Sequence, residues 1–259
     1  DLQTCRETSS TLTQGENTLA TTATQYNNNN GRITRGTFGT NQFNYTYLAN
    51  SHLLSQITTC GGAAKKVFTY ETNRDLPTEI AFKLSNNSLI AKRNYTFDAV
   101  GRVSARTQTR GTDTARNDSF GYNDRSELTS ATLGNDNYAY SFDNIGNRIT
   151  AAELADEIAY SANNLNQYTA IEKNSGTPFV PTFDDDGNQL TVQTATGVWN
   201  VTYNAENRPI TFTQGTTVIE CKYDSQGRRF EKKVTANNVV TFWQRYAYKA
   251  YLQIAAFNV

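Results

Sequence analysis

One phrase recurs along almost the whole of this 259-residue chain and constrains its fold more than any other feature. The phrase starts with an aromatic residue and Asp or Asn, continues with two variable residues, and ends with Gly and often Arg or Asn. Its clearest copies are Phe97-Asp98-Ala99-Val100-Gly101-Arg102, Phe142-Asp143-Asn144-Ile145-Gly146-Asn147, Phe183-Asp184-Asp185-Asp186-Gly187-Asn188 and Tyr223-Asp224-Ser225-Gln226-Gly227-Arg228. Self-similarity of this kind indicates a repeat architecture, in which each copy belongs to one supersecondary unit.

Less regular copies fill the intervals between these four. They begin at Tyr70, at Tyr122 and at Tyr203, where the phrase reads Tyr203-Asn204-Ala205-Glu206-Asn207-Arg208, and more degenerate copies begin at Tyr26, Tyr47, Tyr160 and Tyr248. Successive copies are 18 to 27 residues apart. A step of about twenty residues has room for two strands of about six residues and two turns. The sequence therefore predicts one β-hairpin per repeat.

The residue type at each position of the phrase can be explained by its place in a turn between two strands. Asp or Asn after the aromatic residue can accept hydrogen bonds from backbone N–H groups further along the turn. The fourth turn position requires a positive φ, a conformation that glycine adopts without strain. In the four clearest copies it is occupied by Gly101, Gly146, Gly187 and Gly227. Asn207 can take this conformation at modest cost. Arg74 and Ser126 suit it poorly, so their two turns are expected to differ.

The segments between the turns alternate as half-buried strands do, with Trp199 and Val201 on one face of a predicted strand. We therefore predict an all-β protein of repeated antiparallel β-hairpins that form one long coiled sheet, wound as a spiral or open tube. The Thr-rich residues 1–25 are expected to form a lead-in strand or cap, and residues 26–259 the repeat array. Residues 151–157 are the one segment with helical propensity, enough for one or two turns at most.

Charge and residue counts exclude several classes of function. The chain has 24 Lys and Arg residues and 24 Asp and Glu residues, so it lacks the basic excess of proteins that bind nucleic acid. It contains no run of 18 apolar residues, and no membrane span is expected. One histidine, His52, and three scattered cysteines, Cys5, Cys60 and Cys221, match neither a zinc spacing nor a nucleophile motif. No metal, cofactor or catalytic residue is predicted. At most one disulfide could form among the three cysteines, and all three are expected to be free or buried thiols.

The run Asp184-Asp185-Asp186-Gly187 is a candidate for a calcium loop. An EF-type loop has Gly at its sixth position and Glu at its twelfth, whereas Gly is fourth here and no such Glu follows. The repeat explains all of this segment except its extra acidity. Pairs of carboxylates for glycoside hydrolysis stay open at this point, because such pairs meet in space and not in sequence.

The repeated phrase resembles that of the YD-repeat or Rhs (rearrangement hot spot) family over roughly residues 26–251. Segments 142–148, 163–168 and 203–208 read like phrases typical of those repeats. The resemblance implies a hollow β-shell in a secreted or cell-surface bacterial protein, which encloses a C-terminal toxin domain or stands as a surface adhesin. The family's Asp-Pro-Xaa-Gly motif for self-cleavage has no counterpart in this sequence, so no protease residue is carried over.

Two functions of different classes follow. The first is a non-enzymatic shell segment of a larger parent protein that encapsulates or presents a cargo such as a toxin domain. A chain that begins at Asp1 and contains no Met fits such a piece. The second is a carbohydrate-binding or adhesive module, in which a solvent-facing aromatic ladder around Trp199 and Trp243 holds the sugar. The apolar C-terminal strand, 246–257, is expected to pair with another repeat, a second copy or the parent's continuation, because a free apolar edge invites self-association.

Overall fold

The structure, a computed structural model, describes residues 6–14 and 16–259 and places 63% of the residues in strands. All strand pairs are antiparallel, and each sheet follows the chain order. The first sheet has fifteen strands: β1 (Ser9–Gln14), β2 (Asn17–Tyr26), β3 (Ile33–Phe38), β4 (Asn41–Tyr47), β5 (Leu54–Thr59), β6 (Ala64–Tyr70), β7 (Pro77–Leu84), β8 (Leu89–Phe97), β9 (Val103–Arg110), β10 (Arg116–Tyr122), β11 (Leu128–Leu133), β12 (Asp136–Phe142), β13 (Arg148–Glu153), β14 (Asp156–Ala162) and β15 (Tyr168–Lys173). The second has seven: β16 (Thr191–Thr194), β17 (Gly197–Tyr203), β18 (Pro209–Gln214), β19 (Thr217–Tyr223), β20 (Arg229–Ala236), β21 (Val239–Lys249) and β22 (Leu252–Asn258). This order confirms the predicted array of hairpins.

The strands form two sheets, where the repeat alone predicts one. After β15 the ladder is reduced to two isolated bridges, one between Ile171 and Phe179 and one further along the chain. Pro178 and Pro181 lie in this interval, and proline has no N–H to donate to a ladder. The fifteen-stranded sheet is not closed.

A β-bulge accompanies the aromatic residue that opens the repeated phrase. The pairing register shifts between Thr202 and Tyr203 and again between Lys222 and Tyr223, so that Tyr223 lies opposite Arg229. A bulge adds one residue to one strand and increases the local twist. The phrase is therefore a turn and a bulge combined, and together they fix the register of each hairpin.

The chain forms two compact units, residues 1–139 and 140–259. The buried apolar residues in them are all small or medium-sized: Ala81, Ala131, Ala151, Val201 and Cys221. No large side chain of the described residues is completely buried. The stability of each unit therefore rests on contacts between neighbouring strands and turns, as in other repeat proteins. The proposed division into a lead-in, 1–25, and a repeat array, 26–259, stays a prediction.

Residues 151–157 are not helical, contrary to their local propensity. They form the end of β13, a turn at Leu154 with a φ of 60°, and the start of β14. Strand pairing overrides propensity here, since Ala151 lies opposite Ile158 across this hairpin. None of the helices among the described residues is long and apolar enough to cross a membrane.

The cysteines and the C-terminal segment can be placed in part. Cys221 is buried and free, and Cys5 lies outside the described residues. Residues 246–257 do not form one strand but the end of β21 and most of β22, which pair with each other. β21 also pairs with β20, and β22 is the last strand of its sheet.

Candidate functional site

Seven five-residue turns carry the repeated phrase and share one backbone geometry. We call them the repeat turns: 98–102, 123–127, 143–147, 163–167, 184–188, 204–208 and 224–228. In each, the N–H of the first residue donates to the C=O of the fifth at 2.9–3.0 Å. The N–H of the fourth residue donates to the C=O of the first at 2.9–3.3 Å. These two bonds close the hairpin in the same way in all seven copies.

The first residue of every repeat turn is Asp or Asn, and its side chain completes the turn. Asp98 Oδ1 accepts from the N–H groups of Val100 and Arg102 at 3.0 and 2.9 Å. The other six turns repeat both bonds at 2.7–3.1 Å. Asp143, Asp184, Asn204 and Asp224 therefore have one common task, which is to satisfy two backbone donors.

The fourth residue has a positive φ in all seven repeat turns. Four are glycines, with φ between 78° and 93°: Gly101, Gly146, Gly187 and Gly227. The others are Ser126, Asn166 and Asn207, at 66°, 60° and 57°. The prediction that Ser126 makes a different turn is wrong, because its turn has the common hydrogen bonds. Arg74 does lie in a different turn, 71–76, which is one residue longer.

In six of the seven repeat turns, the first and fifth side chains are matched as hydrogen-bond donor and acceptor. Asp98 accepts from Arg102 Nε at 2.6 Å. The same pairing joins Asn123 with Glu127, Asp143 with Asn147, Asn163 with Gln167, Asp184 with Asn188, and Asp224 with Arg228. In the turn 204–208, Arg208 pairs with Glu206 at 2.7 Å instead. In the other six turns, an acid at the first position goes with a donor at the fifth, and Asn at the first position goes with an acceptor at the fifth. Our sequence analysis missed this pattern, although it is visible at a separation of four residues.

These bonds keep the carboxylates of the repeat turns ionised. The hydrogen bond from the Arg228 side chain is the main cause that lowers the pKa of Asp224. Burial raises the pKa of Asp98, but hydrogen bonds from the side chain and backbone of Arg102 outweigh it and hold that pKa below its ordinary value. An ionised carboxylate is purely an acceptor, which is the role that the turn requires.

The fifth residue of a turn also reaches the next turn in its unit. Arg102 donates from Nη1 to the C=O of Asn123 at 3.0 Å and to Ser126 Oγ at 3.1 Å. The equivalent side-chain bonds join Asn147 to Asn166 at 3.3 Å and Asn188 to Asn207 at 2.9 Å. All three non-glycine residues at the fourth position thus accept a hydrogen bond from the preceding turn, which offsets the strain of their positive φ.

Position 227 requires glycine for a second reason besides its φ of 78°. A Cβ atom there would lie 2.8 Å from Nη2 and 3.0 Å from Cζ of Arg208. The guanidinium of the preceding turn therefore lies directly over the glycine. A side chain at this position would displace it.

Tyrosines that open the phrase donate a hydrogen bond to the first residue after the preceding turn. The Tyr223 hydroxyl donates to the C=O of Pro209, the first residue after the turn 204–208, at 2.8 Å. The same bond joins Tyr122 to Val103, Tyr203 to Gln189 and Tyr248 to Arg229 at 2.8–3.0 Å. Burial raises the pKa of Tyr203 and Tyr223, so both stay donors. Phe97, Phe142 and Phe183 occupy the same position without a hydroxyl.

Arginines that end the phrase lie over the tyrosine ring of the next copy. The distance from the guanidinium carbon to the ring centroid is 4.8 Å for Arg102 over Tyr122 and 5.2 Å for Arg228 over Tyr248. Contacts of this length are cation–π interactions. The aromatic, acidic, glycine and arginine positions of the phrase therefore form one interlocking unit between consecutive hairpins.

The remaining sequence candidates do not assemble into a reaction centre. His52 is exposed in the turn between β4 and β5. Trp199 lies on the face that carries Val201, whereas Trp243, opposite Lys233, lies on the other face, so the two tryptophans do not form one ladder. Among residues 6–14 and 16–259, no three His, Cys, Asp or Glu side chains are grouped to hold a metal ion.

Comparison with known proteins shows similarity in structure but not in sequence. No protein-family model and no curated protein matches this chain. A structure of the Tc holotoxin pore of Photorhabdus luminescens is similar over 89% of this chain, with a TM-score of 0.56 and 13% identity. A crystal structure of TcdB2-TccC3-TEV is similar over 89% of this chain, with a TM-score of 0.60 and 14% identity. The matched regions are 15% and 14% of those chains, so this chain spans a small part of their length.

At this level of identity the similarity establishes the fold alone. The chain has the β-sheet fold of an Rhs/YD-repeat shell. In this chain, a few positions per repeat fix the turn, the register and the contact to the next hairpin.

Proposed function

We propose that this chain is a non-enzymatic structural segment of a larger, secreted Rhs/YD-repeat protein. The observation that carries the proposal is the interlocking of consecutive repeat turns. Their acidic, arginine and tyrosine side chains bind neighbouring turns, as Arg102 binds the turn 123–127 and Tyr223 binds Pro209. Groups that could serve in catalysis are thus engaged in holding the sheet together.

The segment contributes hairpins to a wall that encloses or presents a cargo, for which a toxin domain is the best candidate. Similarity to segments of the Tc holotoxin pore and TcdB2-TccC3-TEV structures supports this role. The small share of those chains that is matched supports a larger parent protein. A protein of this kind acts outside the cell that makes it or at its surface, so we place the protein there.

Limited proteolysis of the protein as its host produces it tests this function. We expect a polypeptide segment outside residues 1–259 to resist protease while the wall is intact. It should become sensitive in a Gly227→Ala/Asp224→Ala variant, which disrupts one repeat turn. Val100→Ala is the matched control, because Val100 is 73% exposed at a variable turn position. Equal sensitivity of the segment in all three proteins would contradict encapsulation.

The alternative function, a carbohydrate-binding or adhesive module, can be tested with the same protein preparation. Glycan binding that is lost in Trp199→Ala and kept in Gly227→Ala would favour that function over the shell.

A further inference from the structure

One face of the sheet in the first unit carries aromatic and cationic side chains together. Residues directly opposite each other on antiparallel strands share a face. Lys66 on β6 lies opposite Phe82 on β7, Phe82 opposite Ala91 on β8, and Ala91 opposite Arg110 on β9. Arg93, two residues along β8, shares this face. We call it the aromatic face.

Four arginines are gathered on the aromatic face across β8, β9 and β10, and we call them the arginine cluster: Arg93, Arg106, Arg110 and Arg116. Strand register brings them together, because Arg93 and Arg116 lie opposite Gln108, and Arg106 lies opposite Asp118. With Lys66, five cations face one carboxylate on strands β6 to β10 of this face, a surplus of four positive charges. Asp113, in the loop after β9, lines a depression of about 190 Å³ together with Arg110 and Arg116.

A buried carboxylate holds the arginine cluster in place. The Asp118 side chain is fully buried, and its Oδ2 accepts hydrogen bonds from Arg106 Nε at 2.8 Å and from Arg116 Nη2 at 3.4 Å. It also forms ion pairs with Arg106 Nη2 at 2.7 Å and with Arg116 Nε at 2.9 Å. Gln108 Nε2 donates to the same carboxylate at 2.8 Å, and Gln108 Oε1 accepts from Arg93 Nε at 3.2 Å. The guanidiniums of Arg106 and Arg116, and through Gln108 that of Arg93, are thus positioned before any ligand arrives, which lowers the entropic cost of binding. Arg110 is not held by this network.

The cluster keeps unused hydrogen-bonding capacity. A guanidinium has five N–H donors. Within the described part of the chain, Arg93 uses one of them on a neutral amide, and the Arg110 side chain has no partner. Both side chains are exposed. Two unneutralised guanidiniums on adjacent strands are suited to bidentate binding of carboxylates.

An apolar pocket adjoins the cluster on the same face. It has a volume of about 270 Å³ and is lined mainly by Phe43, Ile57, Phe82 and Ile90, with Lys66 at its side. A bulge after Phe82 brings Ile90 to this pocket. Phe82 is 40% and Ile90 45% exposed. Phe82 and Arg110 are two strands apart, about 10 Å, which an extended peptide spans in about three residues.

We propose that the aromatic face of the first unit binds an acidic segment of a partner polypeptide. Carboxylates of the segment pair with Arg93 and Arg110, and one of its large apolar side chains enters the pocket beside Phe82. A polypeptide is favoured over nucleic acid, because the chain as a whole has no net charge and the pocket requires an apolar group close to the anion. The site does not depend on whether the chain encloses a cargo.

Fluorescence anisotropy with labelled peptides tests this site on the full chain. The probe is a peptide of alternating Glu and Phe; the comparison probes are alternating Glu and Ser, alternating Lys and Phe, and a single-stranded oligonucleotide. We expect only the Glu/Phe peptide to bind tightly. Arg93→Gln/Arg110→Gln should weaken it about tenfold or more, since each lost charged hydrogen bond is worth a factor of this order.

The matched control is Lys83→Gln/Lys92→Gln, which removes two charges from the opposite face of strands β7 and β8. It should change the affinity less than about twofold. Circular dichroism of each variant verifies that the sheet is intact, and Phe82→Ser provides a second variant that leaves the arginines in place and should also weaken binding. The proposal is overturned if the Glu/Phe peptide does not bind, if the oligonucleotide binds as tightly, or if the control weakens binding as much as the arginine pair.

Discussion

Replacing the glycine of a repeat turn by alanine has a cost that depends on what lies over the turn. At Gly101, φ is 91° and the nearest atom to an added Cβ would be Leu76 Cδ1 at 3.5 Å, an ordinary contact. A non-glycine residue in the left-handed region costs about 1–2 kcal/mol, and alanine returns about 0.4–1 kcal/mol by restricting the unfolded chain. We therefore expect Gly101→Ala to lower the free energy of unfolding by about 1 kcal/mol.

At Gly227 the same strain is joined by a steric conflict. The added Cβ would lie 2.8 Å from Arg208 Nη2, so the guanidinium must move. Arg208 also lies over the Tyr223 ring at 5.9 Å, and losing a cation–π contact costs about 0.5–1 kcal/mol. Gly227→Ala should therefore lower the free energy of unfolding by about 2 kcal/mol.

Urea unfolding followed by far-UV circular dichroism measures both variants. The matched control is a double-mutant cycle with Arg208→Ala, which removes the guanidinium. In that background Gly227→Ala should cost about as little as Gly101→Ala does, about 1 kcal/mol. The reasoning is refuted if Gly101→Ala costs as much as Gly227→Ala, or if the Arg208→Ala background leaves the cost of Gly227→Ala unchanged.

Three further substitutions test the network. Tyr223→Phe removes the hydrogen bond to Pro209 and should cost about 1 kcal/mol in urea unfolding; no change would show that the hydroxyl is dispensable. Hydrogen bonds from lysine and arginine side chains on the flanking strands lower the pKa of Glu231 to about 2. Because its pKa is depressed on folding, its contribution to stability is complete above the ordinary value of 4.5 and is lost as the pH falls towards 2. Glu231→Gln should flatten the dependence of thermal stability on pH in that window, and an unchanged profile would contradict this assignment. Asp118→Asn should cost about 1–3 kcal/mol, because it leaves the arginines around a buried site without their carboxylate.

The hairpin array could be predicted because its signals are local. The aromatic–Asp–Gly phrase specifies a turn through the properties of single residues, as at Asp98 and Gly101. The interruption of the sheet was not predicted, because the repeat period gave no reason to expect it. The signal for it was Pro178 and Pro181, since proline has no N–H to donate to a ladder.

Other features depend on neighbours that are distant in sequence. Ser126 suits a positive φ poorly by itself, and it is accommodated because Arg102, 24 residues earlier, donates to its hydroxyl. The network around Asp118 likewise requires the register of three strands, which places Arg106 and Gln108 beside it. A bulge can shift register by one residue and move side chains to the other face, so a single sequence does not reveal which charges meet.

Electron cryo-microscopy of the protein as its host makes it tests the proposed function most directly. If this chain is a shell segment, residues 26–259 will be found within a continuous wall of hairpins, with their repeat turns stacked on turns of the neighbouring repeats and polypeptide density on the inner side of the wall. Strands that form a separate module, with solvent on both faces and no enclosed density, would contradict a role in encapsulation.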